Sequence, residues 1–192
     1  LTNMAKNFEA DNFKELGGKK LGDMAKNFQG EDFKQLSGGN VALMAKEMDL
    51  TLLSGIGNDQ AKGMAKAMEK TDISTLESNQ LIGLAKGMKS KEIVEIGKDK
   101  LFAMVNKIKD NDVVSLGDNH LSSMMSGLKG SQIGELEKAK KISIVDNLKA
   151  NFFGSANAEF KDIKEKTSTT SRPTISAEKI GKTKIGTGDS AS

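Results

Sequence analysis

The chain has no cysteine, no tryptophan and no tyrosine, one histidine and one proline in 192 residues. Without cysteine there can be no disulfide, no zinc–thiolate site and no thiol nucleophile. All aromatic character rests on eight phenylalanines. Apolar runs are also missing: none approaches the length that spans a bilayer, and Leu1 to Lys6 lack the basic and apolar regions of a signal peptide. These absences lead us to expect no membrane insertion and no cofactor.

Charge of one sign is scarce as well. The net charge is +3, but seven Lys/Arg against four Asp/Glu lie beyond residue 160, which leaves residues 1–160 balanced at 22 against 22. A polyanion binder is expected to carry a strong basic excess, so a nucleic-acid partner is not expected.

What the sequence does contain is a repeat. Met4-Ala5-Lys6, Met24-Ala25-Lys26, Met44-Ala45-Lys46, Met64-Ala65-Lys66 and Leu84-Ala85-Lys86 recur at intervals of 20, with weaker echoes at Met104-Val105, Met124-Met125 and Ile144-Val145. No insertion or deletion breaks the spacing, and the first two repeats match at ten of twenty positions.

Six positions of the repeat are apolar almost throughout. Position 1 runs from Leu1 through Leu21 to Leu121, position 4 is the methionine column, and position 5 is alanine until Val105. Position 8 runs from Phe8 and Phe28 to Leu148, position 13 from Phe13 and Phe33 to Phe153, and position 16 from Leu16 to Leu136. Positions 1, 4, 5 and 8 share one face of a helix of about two turns.

Positions 13 and 16 predict a second short helix, entered through N-caps at position 11 (Asp11, Thr51, Thr71, Asn111, Ser131, Asn151) and left through Gly17, Gly57, Gly97 and Gly117, where a left-handed residue is expected. Helices this short do not hold alone in water and must stack. When position 5 enlarges to Val105, Met125 or Val145, position 8 contracts to Ile108, Leu128 or Leu148, the volume exchange a packed interior imposes.

The expected fold is therefore all-α: an α-solenoid of eight 20-residue helix-turn-helix repeats over residues 1–160, the last cap-like, and a polar Ser/Thr/Lys/Gly-rich tail, extended or flexible, over 161–192. Val113-Val114-Ser115-Leu116-Gly117-Asp118-Asn119-His120-Leu121 resembles a leucine-rich repeat. That resemblance implies a strand-lined horseshoe, the alternative fold, but covers only two repeats.

Candidate chemistry is sparse. His120, in an expected polar turn, has no Cys or placed carboxylates around it and reads as a surface residue. Gly181-Lys182-Thr183 ends like a phosphate-binding loop, but Ser176 stands where the first glycine belongs. Asp110-Asn111-Asp112 begins like a calcium loop, and the required Gly and Glu do not follow.

Three candidate interaction features remain. Lys6, Lys26, Lys46, Lys66 and Lys86 are expected to form a row on one solvent edge; Leu1, Met4 and Phe8 are expected to form an end-stacking face; and Ile175, Ile180 and Ile185 could dock the tail. The expected role is non-enzymatic: a structural or scaffold segment of a larger, bacterial-type surface assembly, with a protein partner, self-association or further upstream repeats. The alternative is a binding module holding a peptide, helix or acidic polymer on a concave face or on the lysine row.

Overall fold

Along the described residues long helices, most running from position 18 to position 7 of the next repeat, alternate with short ones that begin at position 10. The computed structural model describes residues 7–152, with side chains up to residue 148. Ten α-helices and three 3₁₀ helices follow one another: α1 (Ala10–Lys26), η1 (Gly30–Gln35), α2 (Gly38–Glu47), α3 (Leu50–Ser54), α4 (Asn58–Ala67), α5 (Lys70–Ile73), α6 (Ser78–Gly87), η2 (Ser90–Ile96), α7 (Lys98–Lys107), η3 (Asp110–Leu116), α8 (Asp118–Ser126), α9 (Gly130–Glu135) and α10 (Lys138–Phe152). No strand occurs among the described residues, so the chain is all-α there. The stretch that resembles a leucine-rich repeat falls in η3 and α8, not in a strand.

The long helices begin earlier than the apolar periodicity suggests. In α4 the helix starts at position 18 of the preceding repeat, and the polar residues expected in a turn form its first turn. Gly57, Gly97 and Gly117 stand at the N-caps of α4, α7 and α8 with φ of 108°, 98° and 74°. Gly17, with φ 72°, kinks α1 into two helices. Their ψ values of 148° to 158° put them in the extended positive-φ region open essentially to glycine alone, not the left-handed helical well expected. Where Ser37 or Glu77 takes this place φ is negative: Ser37 Oγ accepts from the Asn40 N–H at 3.1 Å, and the Glu77 N–H donates to Gln80 Oε1 at 2.7 Å.

The short helices also start early, at position 10. Position 9 is the N-cap, so Thr51, Thr71, Asn111 and Ser131 lie inside the first turn rather than capping it. The polar residue at position 12 now falls at N3 and reaches back: the N–H groups of Glu9, Gln29, Glu69 and Lys129 donate to Asn12, Asp32, Asp72 and Gln132 at 2.8 to 2.9 Å. This is half of a capping box.

The six apolar columns are the core. Position 1 from Leu21 to Leu121, position 4 from Met44 to Ile144 and position 13 from Phe13 to Val113 are at most 3% exposed. Phe28 packs edge-on against Phe33, with ring centroids 5.2 Å apart. The volume exchange holds in the sixth repeat, where Val105 and Ile108 are both buried, but in the last repeat Val145 is 36% exposed.

Successive long helices touch, but the most extensive stacking does not run from one repeat to the next. Each helix packs on the helix about 30 residues away, long on short: α4 on η1 and η2, α6 on α3 and η3, α7 on α5, α8 on η2, and α10 on η3. Three files result. The first holds residues 10–16, α2, α5, α7 and α9; the second holds residues 18–26, α3, α6, η3 and α10; the third holds η1, α4, η2 and α8. One turn of the stack thus spans one and a half repeats, which a 20-residue period does not reveal.

Candidate functional site

Three files stacked every 30 residues put positions 20 apart on different sides of the array, and this decides what the predicted site residues can do together. Lys26 and Lys86 share the second file, Lys46 lies in the first and Lys66 in the third, so they do not line a single edge. Lys66 Nζ sits 3.3 Å from Glu95, while Lys26, Lys46 and Lys86 are exposed. Lys6 lies outside the described residues, as do Leu1, Met4 and the tail residues Ile175, Ile180 and Ile185. Of the end-stacking trio Phe8 is described: half-buried, its ring packs edge-on against Phe13 at 5.5 Å and its carbonyl accepts from Asn40 Nδ2 at 3.2 Å.

That last contact belongs to a ladder. Asn40, Gln60, Gln80, Lys100, His120 and Lys140 all occupy position 20, in the first turn of a long helix. Each reaches back 32 to 34 residues to a backbone carbonyl, which from Gln60 onward lies at the C-terminal end of an earlier long helix or just beyond it. Gln60 Nε2 donates to the Phe28 carbonyl at 2.9 Å, Gln80 to that of Lys46 at 3.0 Å, and Lys100 Nζ to that of Lys66 at 2.6 Å. His120, expected to be a surface residue in a turn, is half-buried with Nε2 2.9 Å from the Met88 carbonyl. Lys140, 5% exposed, reaches the carbonyls of Asn106 and Ile108 and pairs with Asp110 at 3.0 Å. A helix end leaves carbonyls without intrahelical donors, and these side chains supply them.

Position 20 carries an N–H donor in every repeat from Lys20 to Lys140, a pattern legible in the sequence once polar columns are read alongside apolar ones. Position 18 supplies the reverse stitch: Asn58 Oδ1 accepts from the Lys89 N–H at 2.6 Å, and Ser78 Oγ from the Lys109 N–H at 3.1 Å.

The strongest charge cluster joins α4 to η2. Lys62 Nζ lies 2.8 Å from Glu92 and 3.4 Å from Glu95, and Asn58 Nδ2 donates to the same Glu92 oxygen at 3.0 Å. The hydrogen bonds from Lys62 and Asn58 hold the Glu92 carboxyl down at about 2, and the bond to Glu92 raises the Lys62 ammonium above its ordinary value. Both groups are spent on each other, which suits joining helices better than proton transfer. Among the described residues no three His, Cys, Asp or Glu side chains converge as a metal site would require, and no helix is long and apolar enough to cross a membrane.

Open clefts lie along the first file. One between α2 and α5 is lined by Asn40, Leu43, Lys46, Asp72 and Thr75; another, between α5 and α7, is lined by Lys70, Thr71, Ser74, Asp99, Phe102 and Asn106. At position 3, Leu43 and Ala103 line these clefts, whereas Gly63 meets Gly30 backbone to backbone in the third file and Gly83 meets Leu50 in the second.

No protein-family model, no curated protein and no solved structure matches the chain.

Proposed function

We propose that the chain is a structural, non-enzymatic repeat scaffold: an α-solenoid of 20-residue helix-turn-helix repeats, coiled at one and a half repeats per turn, whose outer faces make protein–protein contacts. The observation that carries this reading is the ladder at position 20. The buried polar side chains Ser78, Lys140 and Gln132 each bond to groups about 30 residues away, and the main charge cluster closes on itself. Polar groups invested in stitching a stack serve rigidity and spacing, which is what a scaffold requires.

A second reading is favoured by the clefts of the first file, where half-buried Leu43 and Phe102 stand beside polar residues. There the array is a binding module that accepts an extended peptide along α2, α5 and α7.

Chemical cross-linking of the full chain in lysate of its source cells, with mapping of the linked lysines, tests the scaffold reading. Links from exposed lysines of several files to one or a few proteins, or to further copies, are expected. Turnover of a small-molecule substrate, abolished by substituting a residue cluster, would overturn it. Links confined to Lys46 and Lys70 at the first-file clefts favour the binding module.

A further inference from the structure

We infer that the outer face of α10 is the docking surface for a second copy of this chain, stacked head to tail. The inference rests on the scaffold reading and names its partner.

In the second file α6 and α10 are both long helices, 60 residues apart, and position 2 and position 5 face the same way on each. On α6 these are Ile82 and Ala85, which are 1% and 0% exposed, and η3 packs on that helix with Val113 and Leu116 buried. On α10 they are Ile142 and Val145, which are 51% and 36% exposed. No described helix follows α10 in its file. The residues are those of an internal contact: Ile142 repeats the isoleucine that α6 buries at position 2.

The complementary surface is at the first described turn. Leu16 and Met24 are only partly buried, while the same positions from Leu36 to Leu136 and from Met44 to Met124 are at most 5% exposed. The file rule places a short helix over a long one, and residues 10–16 form a short helix whose Phe13 is fully buried within its own chain, which leaves half-buried Leu16 to make the contact. Stacked on α10 of another copy, they continue the contact that η3 makes with α6. Because the two surfaces differ, the contact is heterologous and does not close on two copies, so it propagates.

Sedimentation velocity of the purified full chain over a concentration series reads this directly. The expected result is a mass that grows with concentration through successive oligomers, and an Ile142→Asp or Val145→Asp chain that needs about tenfold or more protein to associate while keeping its melting temperature. A mass constant with concentration, or association indifferent to both substitutions, overturns the inference and leaves lysate links to other proteins as the test of the scaffold reading. The chain has no cysteine, so oxidising a mixture of Ile142→Cys and Glu15→Cys chains reports the geometry. Mixed disulfide dimers are expected; a predominance of Ile142→Cys self-dimers would show a symmetric face and overturn the head-to-tail contact.

Discussion

Gly63 rests on Gly30 so closely that a Cβ placed on Gly63 would stand 2.7 Å from the Gly30 carbonyl carbon. The pair lies 33 residues apart, and the same offset joins Gly83 to Leu50 and Ser143 to Asp110, whose carbonyl accepts from Ser143 Oγ at 2.6 Å. This contact sets how near two turns approach. The Gly63→Ala chain is expected to lose about 1–3 kcal/mol of stability through overpacking against backbone that cannot yield. Gly39→Ala, in α2 with nothing within 4 Å of the new methyl, is the control and is expected to gain up to about 1 kcal/mol. Denaturant unfolding of both chains measures the difference.

Gly97 separates backbone strain from crowding. A Cβ there meets open space, yet φ is 98° and ψ 148°. Gly97→Ala is therefore expected to cost about 1–3 kcal/mol with no steric contact to explain it. A melting temperature equal to that of the parent chain would show that the N-cap of α7 can adopt the negative φ seen at Ser37.

Core truncation addresses the apolar columns. Phe28 and Met64 are 2% and 0% exposed, and their replacement by alanine is expected to cost about 2–5 kcal/mol each. Thermal melts followed by circular dichroism suffice, and unchanged midpoints would contradict the packing.

The Lys62–Glu92 pair gives the stability a defined acid dependence. The Glu92 carboxyl has an ordinary value of 4.5 and is held at about 2 in the folded chain. Its contribution is complete above about 4.5 and is lost as the pH falls toward 2, since the unfolded chain takes up the proton first. The raised Lys62 contributes below its ordinary 10.5 and loses that contribution in alkali. Midpoints measured from pH 5 to pH 2 are expected to fall less steeply for Glu92→Gln than for the parent.

His120 tests the ladder. His120→Ala removes the donor to the Met88 carbonyl and is expected to cost about 1 kcal/mol, whereas His120→Gln, which restores the chemistry of Gln60 and Gln80, is expected to recover most of it. Equal stability of the three chains would mean that water serves the Met88 carbonyl as well as the side chain does.

The amino-acid sequence by itself determined the helices and their buried faces. Spacings of three and four at Leu81, Leu84, Ala85 and Met88 suit only a helix with one apolar side, and positive φ at Gly57, Gly97 and Gly117 was legible because glycine adopts it without a Cβ clash. Helix starts were misplaced by two or three residues, because the polar residues that open a helix carry no apolar signal. The sequence could not determine which helix lies on which. A 20-residue period states that the surroundings recur, and it is silent on the angle between successive repeats. That angle is set by backbone approach at Gly63 on Gly30 and by side chains such as Gln60 and His120 reaching carbonyls 32 residues back. Only the tertiary structure decided that Lys26 and Lys46 lie on different files, and that clefts lined by Leu43 and by Ala103 open along the first.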